Sequence, residues 1–291
     1  MRPNGAGIFP GWPARGSEFI IKEMAEASRI YFTRGSVSGP FLEKLADIFA
    51  DRLKGRILLK PNLVSYEPYP TTTEPELFRN LLRLLKPRAE LVAGDAAAAD
   101  LSRPGDALEG HILAKTAEQE GIKFLDFYRE KMVEKKSGLG DRLKFSAMPS
   151  QFDLVISLPV LKSHINVLMT GALKNQFGFL DREQRSRSHF SGRGYLSRAI
   201  VGINQLCPAA LFIVDFRETL LNSNEVRHGG KIAKGGWLFA GADPVSLDWF
   251  GFSLLKELEP KLAGKSPRDI PYLNLAHQSG LGTEKFQLVQ L

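Results

Sequence analysis

Along this chain, short runs of aliphatic and β-branched residues alternate with longer stretches whose apolar positions recur every three or four residues. The short runs predict strands at Arg56–Lys60, Glu90–Gly94, Phe152–Leu158, Leu211–Asp215 and Trp237–Ala240. Between them, Leu42, Leu45, Ile48, Phe49 and Leu53 share one helical face, Leu77, Leu81, Leu82 and Leu85 share another, and His111–Glu120 predicts a third helix. Pro75 after the polar stretch Thr71–Glu74 marks a helix start, with Glu76 in its first turn. Asp243 and Pro244 open a further helix carrying Val245, Leu247, Phe250, Leu254 and Leu255.

Strands alternating with helices are the signature of βαβ units. The expected fold class is therefore α/β: a mainly parallel sheet flanked by helices, a Rossmann-like layered sandwich. Residues 124–148, rich in lysine and irregular in pattern, suggest a small peripheral subdomain. The Pro- and Gly-rich residues 1–34 read as a loose arm, and 35–291 as a single α/β domain.

Composition narrows the function classes. In 291 residues, 43% hydrophobic content suffices for a large core, and 39 Lys and Arg against 32 Asp and Glu favour anionic partners. Cys207 is the single cysteine, so neither a disulfide framework nor an intrinsic cysteine-ligated iron–sulfur cluster can form within one chain. The N-terminus has no apolar stretch of signal-peptide length. The longest apolar region, 199–214, is broken by Asn204, Gln205 and Pro208, so the expectation is a cytoplasmic protein with no membrane span.

In an open parallel sheet all strands end at one edge, where ligands bind. Lys60 and Asn62 follow the first strand, Asp95 the second, Lys162, Ser163 and His164 the third; Asp215 and Asp243 close the fourth and fifth. Any one of these can be an ordinary turn or capping residue; together they predict a shared rim. Thr72 and Thr73, after the first strand, join them as ligand-binding candidates. Lys162 and Lys174 are suited to holding a carboxylate or phosphate, and His164 to moving a proton near neutral pH, which makes these three the catalytic candidates. Asp215 and Asp243 are candidate ligands for a divalent metal bridging to that anion.

After His164 the pattern predicts an amphipathic helix. Ile165, Leu168, Met169, Ala172 and Leu173 would pack on the sheet, while Asn166, Thr170 and Lys174 form a polar stripe beside Asn175. Gly171 would admit a ligand or another backbone, and Gly178 would stop the helix. The stretch 181–198, with Arg182, Arg185, Arg187, His189, Arg193 and Arg198 among Ser and Gly, reads either as a lid bringing arginine to an anion or as a solvated loop. Arg187 and His189 are its binding candidates. The Gly-rich 222–236 invites a phosphate-loop reading but matches no P-loop. Nucleic acid is disfavoured, because the arginine stretch lacks interleaved aromatic residues for stacking.

These motifs, LLKPNLV (58–64) with 71–75, ELVAGD (90–95), LPVLKSH with TGALKNQFG, FIVDF (212–216), LFAGADPVSLD (238–248) and YLNLAHQSGLG (272–282), resemble in order those of the domain of unknown function 362 family. The resemblance spans roughly residues 41–282. It implies an α/β protein with a redox association, because relatives occur fused to ferredoxin-like modules; here the ferredoxin would be a separate partner. It also implies site roles for Lys60, Asn62, Lys162, His164, Lys174 and Asn175, with Asp215, Asp243 and Asp248 as further motif residues. The combined expectation is an enzyme acting on a carboxylated or phosphorylated small molecule; the alternative is a non-catalytic binding or scaffold protein using the same cleft.

Overall fold

A computed structural model describes residues 28–35, 38–101, 108 and 110–291. Its main sheet contains β1 (Ser28–Arg34), β2 (Gly55–Pro61), β3 (Ala89–Asp95) and β4 (Lys123–Asp126). A separate hairpin, β5 (Met132–Lys136) with β6 (Arg142–Ser146), precedes β7 (Leu154–Leu158), and a small ribbon, β8 (Lys162–His164) with β9 (Leu168–Thr170), follows it. The sheet is completed by β10 (Leu211–Leu221), β11 (Lys231–Gly241) and β12 (Phe286–Gln290).

The eight strands lie in the order β12-β1-β11-β10-β7-β2-β3-β4, and every neighbouring pair is parallel except the two that involve β11. The α/β class and the mainly parallel sheet are as the pattern predicts. Ser28–Arg34, read as part of a loose arm, instead form β1 within the sheet; residues 1–27 of that arm lie outside the described residues.

Alternation along each strand explains why the sheet is covered on both faces. Ile57 and Leu59 of β2, Ile156 of β7 and Ile213 of β10 enter one buried cluster; Leu58, Val155, Phe212 and Val214 enter another. Helices α1 (Gly39–Ile48), α2 (Pro75–Leu85) and α3 (Ile112–Gln119) supply Phe41, Leu45, Phe78, Leu82 and Leu113 to the first. The other face carries α4 (Ala172–Asn175), α5 (Arg182–Phe190), α6 (Gly192–Leu206), α7 (Pro244–Lys256) and α8 (Pro271–Gln278). Helix α2 begins as the sequence suggests, with the Glu74 carboxylate accepting from the N–H groups of Glu76 and Leu77 and Pro75 in the first turn.

Two regions depart from expectation. The amphipathic helix predicted after His164 is the β8–β9 ribbon followed by the single-turn α4. Leu168 adopts a left-handed φ of 70° at the turn, which a continuous helix excludes. The second departure is β11. Only nine residues, 222–230, join β10 to β11, too few for a helical crossover, so the chain turns back and β11 runs antiparallel. The Gly-rich stretch read as a phosphate loop is the tip of that hairpin and the start of β11.

Gly178 has a packing role rather than a helix-stopping one. It lies in a short 3-10 turn, where a Cβ would overlap Asp95 Oδ1 and crowd Lys60 Nζ. Gly178→Ala should destabilise the fold by about 1–3 kcal/mol, read as a lowered urea midpoint at unchanged slope.

Candidate functional site

The parallel strands β2, β3 and β7 end at one edge and bring Lys60, Asp95 and the segment leading to Lys162 together. Lys60 is fully buried, and its ammonium lies 2.7 Å from Asp95 Oδ1. The other oxygen of Asp95 accepts the Leu63 N–H at 2.9 Å, tying the β2 loop to β3. Burial pulls the Lys60 pKa down, and Asp95 opposes that pull. Asn175 of α4 stitches the same edge: its Nδ2 donates to Ser157 Oγ at 2.9 Å and to the Lys60 carbonyl at 3.3 Å.

Above this pair lie further cations. In the ribbon, Lys162 and His164 project to one side and Ser163 to the other, because side chains alternate along a strand. Lys162 Nζ donates to the Thr71 carbonyl, and burial lowers its pKa to about 7 despite the charges of Glu225 and Glu67. Lys174 is also brought to about 7, first by burial and then by the cations Arg185, Lys162 and Lys60. Its ammonium lies 4.9 Å from the centre of the Phe177 ring, with no hydrogen-bond or ion-pair acceptor among the described residues.

Two imidazoles complete the cluster. His164 Nδ1 accepts the backbone N–H of Asn166 at 3.0 Å and of Val167 at 3.4 Å, so the ring proton resides on Nε2. Burial and the nearby cations, Lys174 foremost, hold its pKa well below the ordinary value. His189 stacks nearly parallel to it, at 9° and 6.1 Å between ring centres, and burial and Lys174 push it down to about 3. Burial and the neighbouring cations thus favour the neutral form of both rings. With Nδ1 engaged by two backbone N–H groups, the Nε2–H is the remaining polar function of His164.

The stretch read either as a lid or as a solvated loop forms helix α5 and the first half of α6. Within α5, Arg185 and His189 are four residues apart and share the inward face, whereas Arg187 pairs with Glu183 on the exposed face at 2.7 Å. Arg187 therefore lies away from the cluster, and Arg185 takes the place foreseen for it. The Arg185 guanidinium reaches the carbonyls of Ala96 and Ala97 and the Tyr128 hydroxyl, and leaves its Nε buried without a partner among the described residues. The i, i+4 spacing of Arg185 and His189 was the available signal. Thr170 Oγ1, opposite Lys162 in the ribbon, is likewise buried and unpartnered.

Other candidates serve the frame. Thr73 Oγ1 accepts the Asn62 N–H and donates to the Leu158 carbonyl, both of its main capacities being used. Asn62 Nδ2 and Thr72 Oγ1 make long contacts, at 3.5 Å, to neighbouring carbonyls of the same threonine loop. Ser163, facing away, donates to the Glu259 carboxylate. The metal pair fails on topology. Asp243 follows the antiparallel β11, so it lies at the opposite edge from the rim, capping α7 through the N–H groups of Val245 and Ser246. Asp215 pairs with Leu238, five residues before Asp243, and is ion-paired to Arg217 and bonded to the Tyr69 hydroxyl. Asp248 is a positioning group: its carboxylate accepts the N–H groups of Ala172 and Leu173, which is why Gly171 has no room for a Cβ.

An outer ring of acids lies over Lys162. Glu67 accepts the backbone N–H groups of Val226 and Arg227, and Arg227 binds Glu225 and Asp100 at 2.7 and 2.8 Å. Asp100, Glu225 and His228 approach one another closely enough to hold a metal, but the Arg227 guanidinium already supplies the positive charge there.

A family model described as Domain of unknown function (DUF362) matches residues 57–253. No curated protein matches the sequence. Among solved structures, the lactate racemase apoprotein from Thermoanaerobacterium thermosaccharolyticum is similar at 11% identity and a TM-score of 0.44, over 74% of this chain and 54% of that one. The match thus spans about half of that protein's length. No helix among the described residues is long and apolar enough to cross a membrane.

The lysines make stability depend on pH in a defined window. Folded, Lys162 and Lys174 release their protons near pH 7, but unfolded only near 10.5, so between those values the unfolded chain binds more protons and stability rises with pH. Lys162→Met should flatten that rise, measured as urea midpoints at about pH 7 and about pH 9. Asp95→Asn, which leaves Lys60 buried without its counter-ion, should cost about 3–5 kcal/mol by the same measurement.

Proposed function

The chain belongs to the domain of unknown function family DUF362, and from that premise we propose that the buried cation cluster binds a carboxylated or phosphorylated small molecule as the reacting centre of an enzyme. The observation that carries this reading is the charge imbalance around Lys174. Lys174, Lys162 and Arg185 converge beside two imidazoles, while the buried carboxylates nearby are already committed, Glu225 to Arg227 and Asp95 to Lys60. Like charges gathered in a low-dielectric site are unfavourable unless an anion offsets them. The unused Arg185 Nε and Thr170 Oγ1 and the Nε2–H of His164 would supply hydrogen bonds to such an anion.

A catalytic role, rather than simple storage, is favoured by two amines that change protonation near neutral pH within one site. The cluster's place at the carboxyl edge of parallel strands accords with where α/β folds bind ligands. Asp243 and Asp215 have no part in this reading.

Calorimetric titration with inorganic phosphate and with small mono- and dicarboxylates tests it. Affinity should fall as pH rises above about 7, when the lysines lose their charge. Arg185→Ala and Lys174→Ala should each weaken binding by about tenfold or more, the loss of one charge-assisted hydrogen bond; Arg187→Ala should leave it unchanged. A folded Arg185→Ala variant with undiminished affinity for every anion that the wild type binds would overturn the reading.

A further inference from the structure

The three lysines of the cluster differ in what their nitrogens are doing. Lys60 is locked to Asp95 at 2.7 Å. Lys162 is enclosed, and its nitrogen donates to the Thr71 carbonyl. Lys174 alone of the three has neither an ion-pair nor a hydrogen-bond acceptor among the described residues, and it retains partial solvent access. Its side chain lies along the Phe177 ring, on an apolar floor, with Arg185 and Lys162 as cationic neighbours. An amine in such surroundings sheds its proton readily and is a nucleophile at neutral pH.

We infer that Lys174 is a covalent catalyst whose Nζ condenses with the carbonyl carbon of a 2-oxo acid, the carboxylate of the ligand being held by Arg185 and Lys162. The inference rests on the anion-binding reading and adds to it the class of substrate and the bond that forms. A 2-oxo acid suits the cluster because it joins a carboxylate, which needs cations, to a carbonyl oxygen, which needs a neutral donor. His164 is that donor: with Nδ1 fixed by two backbone N–H groups, Nε2–H is its one remaining polar function.

The step balances without a further reactant. Neutral Nζ adds to the carbonyl carbon, and one amine proton passes to the former carbonyl oxygen, giving a carbinolamine. Lys162, as the ammonium, protonates that hydroxyl, which leaves as water while the nitrogen lone pair closes the C=N bond. The product is a protonated imine on Lys174, and Lys162 regains its proton from solvent. Near pH 7 both amines are partly protonated, so one can act as nucleophile and the other as acid. An iminium beside a carboxylate is an electron sink for bond cleavage or proton removal at the adjoining carbon.

Borohydride trapping on the full chain tests the inference. Incubation with pyruvate or 2-oxoglutarate followed by borohydride should add one reduced adduct by intact mass, mapped to Lys174 as a tryptic site that no longer cleaves. Lys174→Arg should remove the adduct while the thermal melt stays within a few degrees of wild type. Arg185→Ala should slow trapping about tenfold or more. Arg187→Ala should trap normally. An adduct on Lys162 or on surface lysines in place of Lys174 would overturn it. So would the absence of any adduct; if propionate or phosphate still binds, the covalent step alone fails, and if neither binds, the anion-binding reading falls as well.

Discussion

The ion pair between Lys60 and Asp95 is the interaction on which the rim of this sheet depends. Two adjacent parallel strands end in opposite charges with almost no solvent access, and the pair is flanked by the Phe179 ring and the Gly178 backbone. A buried charge is tolerable only when paired and hydrogen-bonded. Asp95 meets both conditions, with one oxygen on the ammonium and the other on the Leu63 N–H. This fixes the loop after β2, which in turn presents the Thr71 carbonyl to Lys162 and the Thr73 hydroxyl to Leu158. Asp95 is spent in doing so. The remaining cations are left with acids only at the outer ring, where Arg227 already engages Glu225 and Asp100.

Much of the scaffold was legible in the sequence. Runs such as LLKPNLV and LVISLPV are apolar on both faces, as parallel strands buried between helix layers must be, and their polar successors fall at a common edge for geometric reasons. The ribbon after His164 was not legible. Leu168, Met169, Ala172 and Leu173 fit a helical period, yet they pack from a tight turn and a single helical turn whose Ala172 and Leu173 N–H groups are taken by Asp248, more than seventy positions away. Ile165, placed on the same face by periodicity, is instead half exposed, because the turn after His164 breaks the helical register. The arginine stretch failed for the opposite reason. Its polarity suggested a loop, but Asp181 caps α5 through the Gln184 N–H, and Ser188 is buried against the preceding turn.

Topology also decides which charges can act together. Had β11 been parallel, Asp243 would have joined Asp215 at the rim and a bridging cation would have been geometrically sensible. The nine-residue connection forces a hairpin, and the same hairpin carries Glu225 and Arg227 across to Glu67 and Asp100. One short connection thus takes Asp243 away from the rim and builds an acidic ring over that same rim. That ring faces Lys162 and raises its pKa, while burial lowers it.

The division of labour within the cluster follows from these placements. Lys60 is neutralised and structural. Lys162 is anchored and feels acids on its outer side, so of the two remaining lysines it is better suited to keep a proton. Lys174 has cations on several sides, only Glu225 opposing them, and is better suited to lose one. Two amines with similar pKa values but opposite surroundings separate into an acid and a nucleophile as soon as a ligand carboxylate settles nearer to one of them. His164 cannot exchange roles with either, because its acceptor nitrogen is held by the backbone of the turn that follows it. The turn that broke the predicted helix is therefore what fixes the tautomer: the chain reverses there, and Asn166 and Val167 point their N–H groups back at the ring.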